Sequence, residues 1–261
     1  MPKRTSYAPG TPCWVDVNTG DVAGTTAFYT DLFGWGVEEM RDENGGHIYS
    51  LLTKDGDVVA GLGGLPPGME GLPTAWNSYI CVADAKATTA AVESAGGTVL
   101  MPAMQIFDVG WTAVIADPTG AVFRLWQPLA RKGADVVNEP NTYSWNELIS
   151  SDIEAAKKFY AAVFGWDYNG MDMGHGDYWV VQGGESGGLA GLMGRPPGMP
   201  DQAPDAWFVY FLVSDVKAML EKAGRTGGQA LFGPESVPGV GVIATVAHPV
   251  GGVFALMQPA G

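Results

Sequence analysis

Two carboxylates stand out by their surroundings. Asp16 lies in Trp14-Val15-Asp16-Val17 and Glu147 in Trp145-Asn146-Glu147-Leu148, the same local pattern 131 residues further on. Side chains alternate along a strand, so indole and carboxyl share one face in each stretch. A carboxyl against aromatic rings loses hydration, its pKa rises, and it can then act as a general acid or base. The histidines, His47, His175 and His248, form no pair with metal-ligand spacing. His175, in Met173-Gly174-His175-Gly176, reads as an exposed hairpin tip, as does His47 beside Gly45-Gly46; a loop histidine over a site mouth is also a catalytic candidate. No Gly-x-x-x-x-Gly-Lys-Ser/Thr phosphate loop occurs, and no Ser or Cys sits in a nucleophile elbow.

The elements that must position these carboxylates repeat. Asp21, Ala27-Phe28-Tyr29 and Phe33-Gly34-Trp35 return as Asp152, Lys158-Phe159-Tyr160 and Phe164-Gly165-Trp166. Pro66-Pro67-Gly68-Met69 returns as Pro196-Pro197-Gly198-Met199, Gly96-Gly97 as Gly227-Gly228, and Gln127-Pro128 as Gln258-Pro259. The pattern predicts an arm over 1–11, a first domain over 12–128, a polar linker over 129–142 and a second domain over 143–261. Each domain repeats weakly within itself. An apolar strand leads to an Asp-capped helix, through Asp21 or Asp84 in the first copy and Asp152 or Asp215 in the second, and three strands follow. Ser151-Asp152-Ile153-Glu154 predicts a capping box. The chain thus reads as α+β, four βαβββ units, two per domain. The Pro-Pro-Gly-Met segments read as rigid crossovers between units, or as a Met-bearing lip over an apolar ligand.

Bulk composition narrows the function classes. The 261 residues carry a net charge of −14, a field that repels phosphate backbones and argues against a nucleic-acid partner. No apolar run is long enough to span a membrane, and the first residues lack a signal-peptide core. Cys13 and Cys81 both fall in strands and read as buried reduced thiols, which suits a cytoplasmic protein. The chain could also pair as a homodimer.

Four βαβββ units, with Phe-Tyr and Phe-Gly-Trp ending the first helix of each domain and Asp117-Pro118-Thr119-Gly120 before a last strand, resemble the vicinal oxygen chelate superfamily of glyoxalases, bleomycin-resistance proteins and extradiol dioxygenases. The resemblance covers nearly the whole chain. It implies that each pair of units curls into a cup with a concave ligand face. It also implies His, Glu or Gln as metal ligands at the start of strand one, on strand four, at the start of strand five and on strand eight. Those positions fall here on Trp14 and Trp145, on Ala60 and Leu62 or Ala190 and Leu192, on Asn77 and Phe208, and on Arg124 and Ala255. None is a good divalent-metal ligand, so no metal or other cofactor is expected.

On this reading Trp14, Asp16, Asn77, Tyr79, Arg124 and Trp126 line the first cup, and Trp145, Glu147, Phe208, Tyr210 and Met257 the second. Such walls suit a flat aromatic ligand with a few orienting polar groups. Plainer roles stand beside each. The tryptophans could simply fill the cups, Asp16 could be ion-paired to Arg124, Glu147 could cap backbone amides, and Tyr79 and Tyr210 could be cross-strand packing. Three functions follow. One is a metal-independent enzyme on an aromatic, oxygen-rich, polyketide-type molecule. There Asp16, Glu147 or His175 would move protons in dehydration, cyclisation or ketal formation, and Arg124 or Asn77 would stabilise an oxyanion. The second is an antibiotic-binding resistance protein without catalysis. The third is a metal-dependent lyase or isomerase with ligands recruited elsewhere, such as Glu147 and His175.

Overall fold

The computed structural model describes residues 3–65, 68, 71–172, 177–184, 187–196, 198–200 and 202–260. The first domain runs β1 (Pro12–Thr19), α1 (Val22–Phe33), β2 (Gly36–Arg41), β3 (His47–Lys54), β4 (Asp57–Gly64), β5 (Ala75–Cys81), α2 (Ala85–Ser94), β6 (Thr98–Ile106), β7 (Gly110–Ala116) and β8 (Val122–Pro128). The second runs β9 (Thr142–Ser150), α3 (Ile153–Phe164), β10 (Tyr168–Asp172), β11 (Asp177–Val181), β12 (Gly191–Gly194), β13 (Ala206–Leu212), α4 (Val216–Arg225), β14 (Gln229–Val237), β15 (Gly241–His248) and β16 (Gly251–Pro259). Each domain is one eight-stranded sheet, ordered β2-β3-β4-β1-β5-β8-β7-β6 and β10-β11-β12-β9-β13-β16-β15-β14. The first strand of each domain therefore runs down the middle of its sheet, which places Asp16 and Glu147 at the cup centres. The α+β class and the four βαβββ units are those expected from the repeat. Of the Pro-Pro-Gly-Met segments, Pro66, Pro67, Met69 and Pro197 lie outside the described residues.

All four helices start on the expected aspartates. Asp21, Asp84, Asp152 and Asp215 accept from the backbone N–H groups of Gly24, Ala87, Ala155 and Ala218. Gly34 and Gly165 close α1 and α3 in the left-handed conformation. The capping box does not form. Asp152 is the cap, Glu154 pairs with Lys157 at 2.9 Å, and the Ser151 hydroxyl donates to Asp205 at 2.7 Å. The more acidic neighbour takes the capping site, and Asp205 holds the serine elsewhere.

The two sheets meet through α1 and α3, which each pack between them. Tyr29 of α1 accepts from Trp76 Nε1 of its own sheet at 2.8 Å, while Phe33 lies 4.9 Å from Phe211 of the other. Tyr160 of α3 accepts from Trp207 Nε1 at 2.8 Å and donates to Asp117 of the first domain at 2.9 Å. The repeated Gly-Gly pairs follow from this packing. Gly96 has φ +90°, and a Cβ on Gly97 would stand 2.7 Å from the Phe159 ring of the other domain's helix. Gly227 and Gly228 play the same parts, with Phe28 at 3.1 Å. His248, where the first domain has Asp117, is buried 4.6 Å from the Phe28 ring centre and 5.4 Å from that of Tyr29.

Residues 129–142 are a strap against the first domain. Ala134 N–H donates to Cys13 O at 2.9 Å, Asp135 N–H to Val58 O at 2.7 Å, and Ala134, Val136 and Val137 are buried. Cys13 and Cys81 are free and buried. No helix among the described residues is long and apolar enough to cross a membrane.

Candidate functional site

In the first cup β1 is flanked by β4 and β5, and the register sets Asp16 beside Gly61 on one side and Asn77 on the other. The Asp16 carboxylate is 2% exposed and fully engaged. Tyr49 and Tyr79 donate to Oδ2 at 2.9 and 2.7 Å, and Asn77 Nδ2 donates to Oδ1 at 2.8 Å. The expected ion pair with Arg124 is relayed instead. Arg124 Nη1 donates to the Tyr79 hydroxyl at 3.0 Å, Nη2 donates to Asn18, and Tyr79 passes the interaction to Asp16. The guanidinium also lies 5.4 Å from the Tyr79 ring centre. Trp14 Nε1 donates to Tyr49 at 3.3 Å, and Trp126 Nε1 donates to Arg131 O at 2.9 Å. Trp14, Tyr79 and Trp126 are all buried, so this cup is filled by its own side chains.

The second cup repeats the geometry with different fillings. Glu147 lies beside Gly191 and Phe208 in the register. Its Oε1 accepts from Tyr210 at 2.7 Å, and Tyr178 is its second hydrogen-bond donor. Trp145 Nε1 donates to Tyr178 at 3.0 Å. Arg124 is replaced by Ala255, Asn77 by Phe208 and Trp126 by Met257, which removes the cation. Trp145, Tyr178, Phe208, Tyr210 and Met257 are each half-buried, whereas Glu147 beneath them is 7% exposed. Burial raises the Glu147 pKa above the usual carboxylate value, and the two tyrosine hydrogen bonds only partly offset it. Burial and the neighbouring carboxylate push Tyr210 and Tyr178 up as well, so both remain hydroxyl donors at neutral pH.

Of the cup-lining residues read from the sequence, Asn77, Tyr79, Arg124, Trp14 and Trp126 gather around Asp16 directly or through Tyr49 and Tyr79, and Tyr210, Phe208 and, through Tyr178, Trp145 around Glu147. His175 lies outside the described residues. His47 belongs to neither cluster; its Nε2 bonds Ser50 at 2.8 Å. Tyr49 and Tyr178 escaped the sequence reading. The repeat spacing is 131 over most of the chain but 129 between these two, so a fixed offset misses them. Gly61 and Gly191 were the available signal: a Cβ on either would fall 1.9 Å from the opposing tyrosine hydroxyl.

A divalent metal is what a fold of this kind implies, and these residues do not fit one. The strand-four expectation needs correction: Ala60, Leu62, Ala190 and Leu192 are fully buried in the cores, and it is Gly61 and Gly191 that face the cup tyrosines. The four positions in each cup then offer indole, glycine, amide and guanidinium, or indole, glycine, phenyl and methyl, and the guanidinium repels a cation. Among the described residues no three His, Cys, Asp or Glu side chains gather as a metal site.

Comparison with known proteins agrees with this architecture. Residues 13–125 and 145–253 match the model of the Glyoxalase/Bleomycin resistance protein/Dioxygenase superfamily. The putative glyoxylase CFP32 of Mycobacterium tuberculosis (strain CDC 1551 / Oshkosh) is 42% identical over 100% of this chain and 99% of its own. The anthracycline biosynthesis protein DnrV of Streptomyces peucetius is 32% identical, covering 97% of this chain and 95% of its own. The Mn(II)-bound glyoxalase from Novosphingobium aromaticivorans has a TM-score of 0.64 at 16% identity, over 96% of this chain and 82% of that one. The 2,3-dioxygenase LapB from Pseudomonas sp. KL28 has a TM-score of 0.65 at 14% identity, over 98% and 94%. At such identities these structures share the fold alone. With both halves matched by the family model and relatives aligned end to end, the chain belongs to the glyoxalase/bleomycin resistance protein/dioxygenase superfamily, as a tandem two-domain member.

Proposed function

We propose that the chain is a metal-independent enzyme whose second cup acts on an aromatic, oxygen-rich small molecule of the polyketide type, with Glu147 as the proton-transfer group. The observation that carries this reading is a buried carboxyl with a raised pKa, held by two tyrosine hydroxyls under a half-exposed aromatic wall. A solvent-exposed or ion-paired carboxyl would titrate too low to donate a proton near neutral pH; desolvation corrects that. The substrate would stack on Trp145 and Phe208. In a dehydration, Glu147 takes the proton from a carbon beside a carbonyl and returns it to the departing hydroxyl, which leaves as water. Tyr210 holds the carboxyl in register for both transfers. The substrate class draws support from the anthracycline biosynthesis relative, aligned over nearly its whole length.

The first cup serves this reading as a strut, since the Asp16 carboxylate has its three donors and Arg124 is held by Tyr79 and Asn18. The half-exposed aromatic wall also suits a protein that binds an antibiotic without changing it, and one experiment separates the two. Polyphenolic polyketide intermediates are incubated with wild type and Glu147→Gln, and products and ligand are followed by mass spectrometry. The enzyme reading expects turnover by wild type and about 100-fold or greater loss in the variant with binding retained. Ligand recovered unchanged from wild type at stoichiometric occupancy overturns it in favour of sequestration. Turnover that requires added divalent metal overturns the metal-independent mechanism.

A further inference from the structure

Beside the second cup lies a cavity of about 300 Å³ that neither carboxylate lines. Its walls come from four separate stretches: Arg4, Tyr7 and Thr11 of the arm, Asn138 of the strap, Ser144 and Trp145 at the start of β9, and Leu189 before β12. The arm is fixed in place. Arg4 N–H donates to Asp135 O, the Tyr7 hydroxyl to Ala134 O and Gly10 N–H to Cys81 O, each at 2.8 Å. Trp166 of the second domain reaches back to Gly10 O at 2.8 Å. The cavity is thus a built feature of the domain junction, and its volume matches the smaller ordinary ligand pockets.

The lining specifies a chemistry. Tyr7 and Trp145 supply two half-buried rings on different elements. Thr11 and Asn138 are half-buried, and their side chains make no hydrogen bond to other described residues. Arg4 is the charged side chain among the described lining residues, and a guanidinium has donors enough to serve a ligand beside its own partners. We infer that this cavity is a second binding site, distinct from the cups, for a planar hydroxylated aromatic acid of two fused rings. The rings lie between Tyr7 and Trp145, the carboxylate faces Arg4, and the hydroxyl is taken by Thr11 or Asn138. Trp145 is a wall shared with the cup, because its Nε1 donates to Tyr178, which in turn bonds Glu147. The site does not depend on the cup being catalytic.

The test uses the full chain and 1-hydroxy-2-naphthoate as probe, titrated by calorimetry and followed by hydrogen exchange. Saturable binding with Kd below about 1 mM is expected, with slowed exchange in residues 4–12. Ala8 is an exposed rim residue, and Ala8→Trp, which fills the cavity, is expected to weaken binding about tenfold or more. Asn138 has φ +62°, so Asn138→Gly keeps the backbone while removing the amide, and a weakening of about threefold or more is expected. Tyr210→Ala, which alters the cup, should leave affinity within about threefold of wild type. Absence of saturable binding in the folded wild type overturns the inference. So does binding that survives both cavity variants but is lost in Tyr210→Ala, since the probe would then occupy the cup.

Discussion

Replacing Asp16 by Asn and Glu147 by Gln tests the different character of the two cups, because the substitutions are chemically alike and their expected costs are not. Asp16 accepts three short hydrogen bonds, and Tyr79 links it to the buried guanidinium of Arg124. Asparagine removes the negative charge, leaves Arg124 without its counter-ion, and sets an NH2 against a donor, Asn77 at one oxygen's place or the two tyrosines at the other's. Breaking a buried, hydrogen-bonded charge pair costs about 3–5 kcal/mol. In a chain of this size that lowers Tm by roughly 6–10 °C, at about 2 °C per kcal/mol. Glu147 has no cation beside it among the described hydrogen bonds and ion pairs, and burial already disfavours its charge. Glutamine retains an acceptor for Tyr210 and removes the charge, so Glu147→Gln should be neutral or stabilising by about 1 kcal/mol at pH 7. The sign follows from linkage. A carboxyl whose folded pKa is raised contributes fully below its unfolded pKa, and that contribution is lost as pH rises through the folded value. Wild type and Glu147→Gln should therefore converge near pH 4 and diverge toward pH 7, with the variant gaining. Differential scanning calorimetry at both pH values measures this. If Asp16→Asn costs less than about 1 kcal/mol, or Glu147→Gln costs as much as Asp16→Asn, the contrast drawn from the hydrogen bonds is wrong.

Other outcomes follow from features already described. Tyr178→Phe removes one hydrogen bond that lowers the Glu147 pKa, so the acidic limb of the proposed activity should move to higher pH and kcat should fall about tenfold; an unmoved profile would remove Tyr178 as a positioning residue. His248 is held down to about 4 by burial, so the unfolded chain takes up a proton near pH 6.5 that the folded chain refuses until about pH 4. Stability should fall through that window, and His248→Phe should flatten the fall in urea melts; an equal slope in both proteins would show that His248 is not its source. Gly97→Ala places a Cβ 2.7 Å from Phe159 and should destabilise by about 1–3 kcal/mol, more than Gly228→Ala, whose nearest contacts are 3.1 Å away; the reverse order would contradict the packing of Phe159 and Phe28 on these glycines.

The scaffold was legible because its determinants are local and doubled. Each helix start is an Asp whose side chain reaches a backbone amide three residues on, and α1 and α3 each end on a glycine with positive φ. Strand alternation placed Trp14 with Asp16 and Trp145 with Glu147 correctly. It did not carry to strand four, where the facing residues are glycines and the apolar neighbours looked like the wall. It could not supply Tyr49 or Tyr178 either. Their partners are set by sheet order, β3 or β11 reaching across β4 or β12 to the central strand, a relation between segments more than 30 residues apart in the first domain. The relay through Tyr79 was hidden for the same reason: charge signs suggest a pair, and only coordinates reveal a hydroxyl between them.

The helices shared between the two sheets have an evolutionary consequence. Because α1 and α3 each bury their aromatic faces between their own sheet and the opposite one, folding is secured away from either carboxylate. The concave sides are thereby released from shared constraint and free to diverge after duplication. One copy has hardened around a neutralised charge, with indoles packed into its floor. The other has alanine where the first has arginine and methionine where it has tryptophan, with an unneutralised acid within reach of solvent-facing rings. A duplicated protein of this design can renew its chemistry in one half while the other half carries the cost of staying folded.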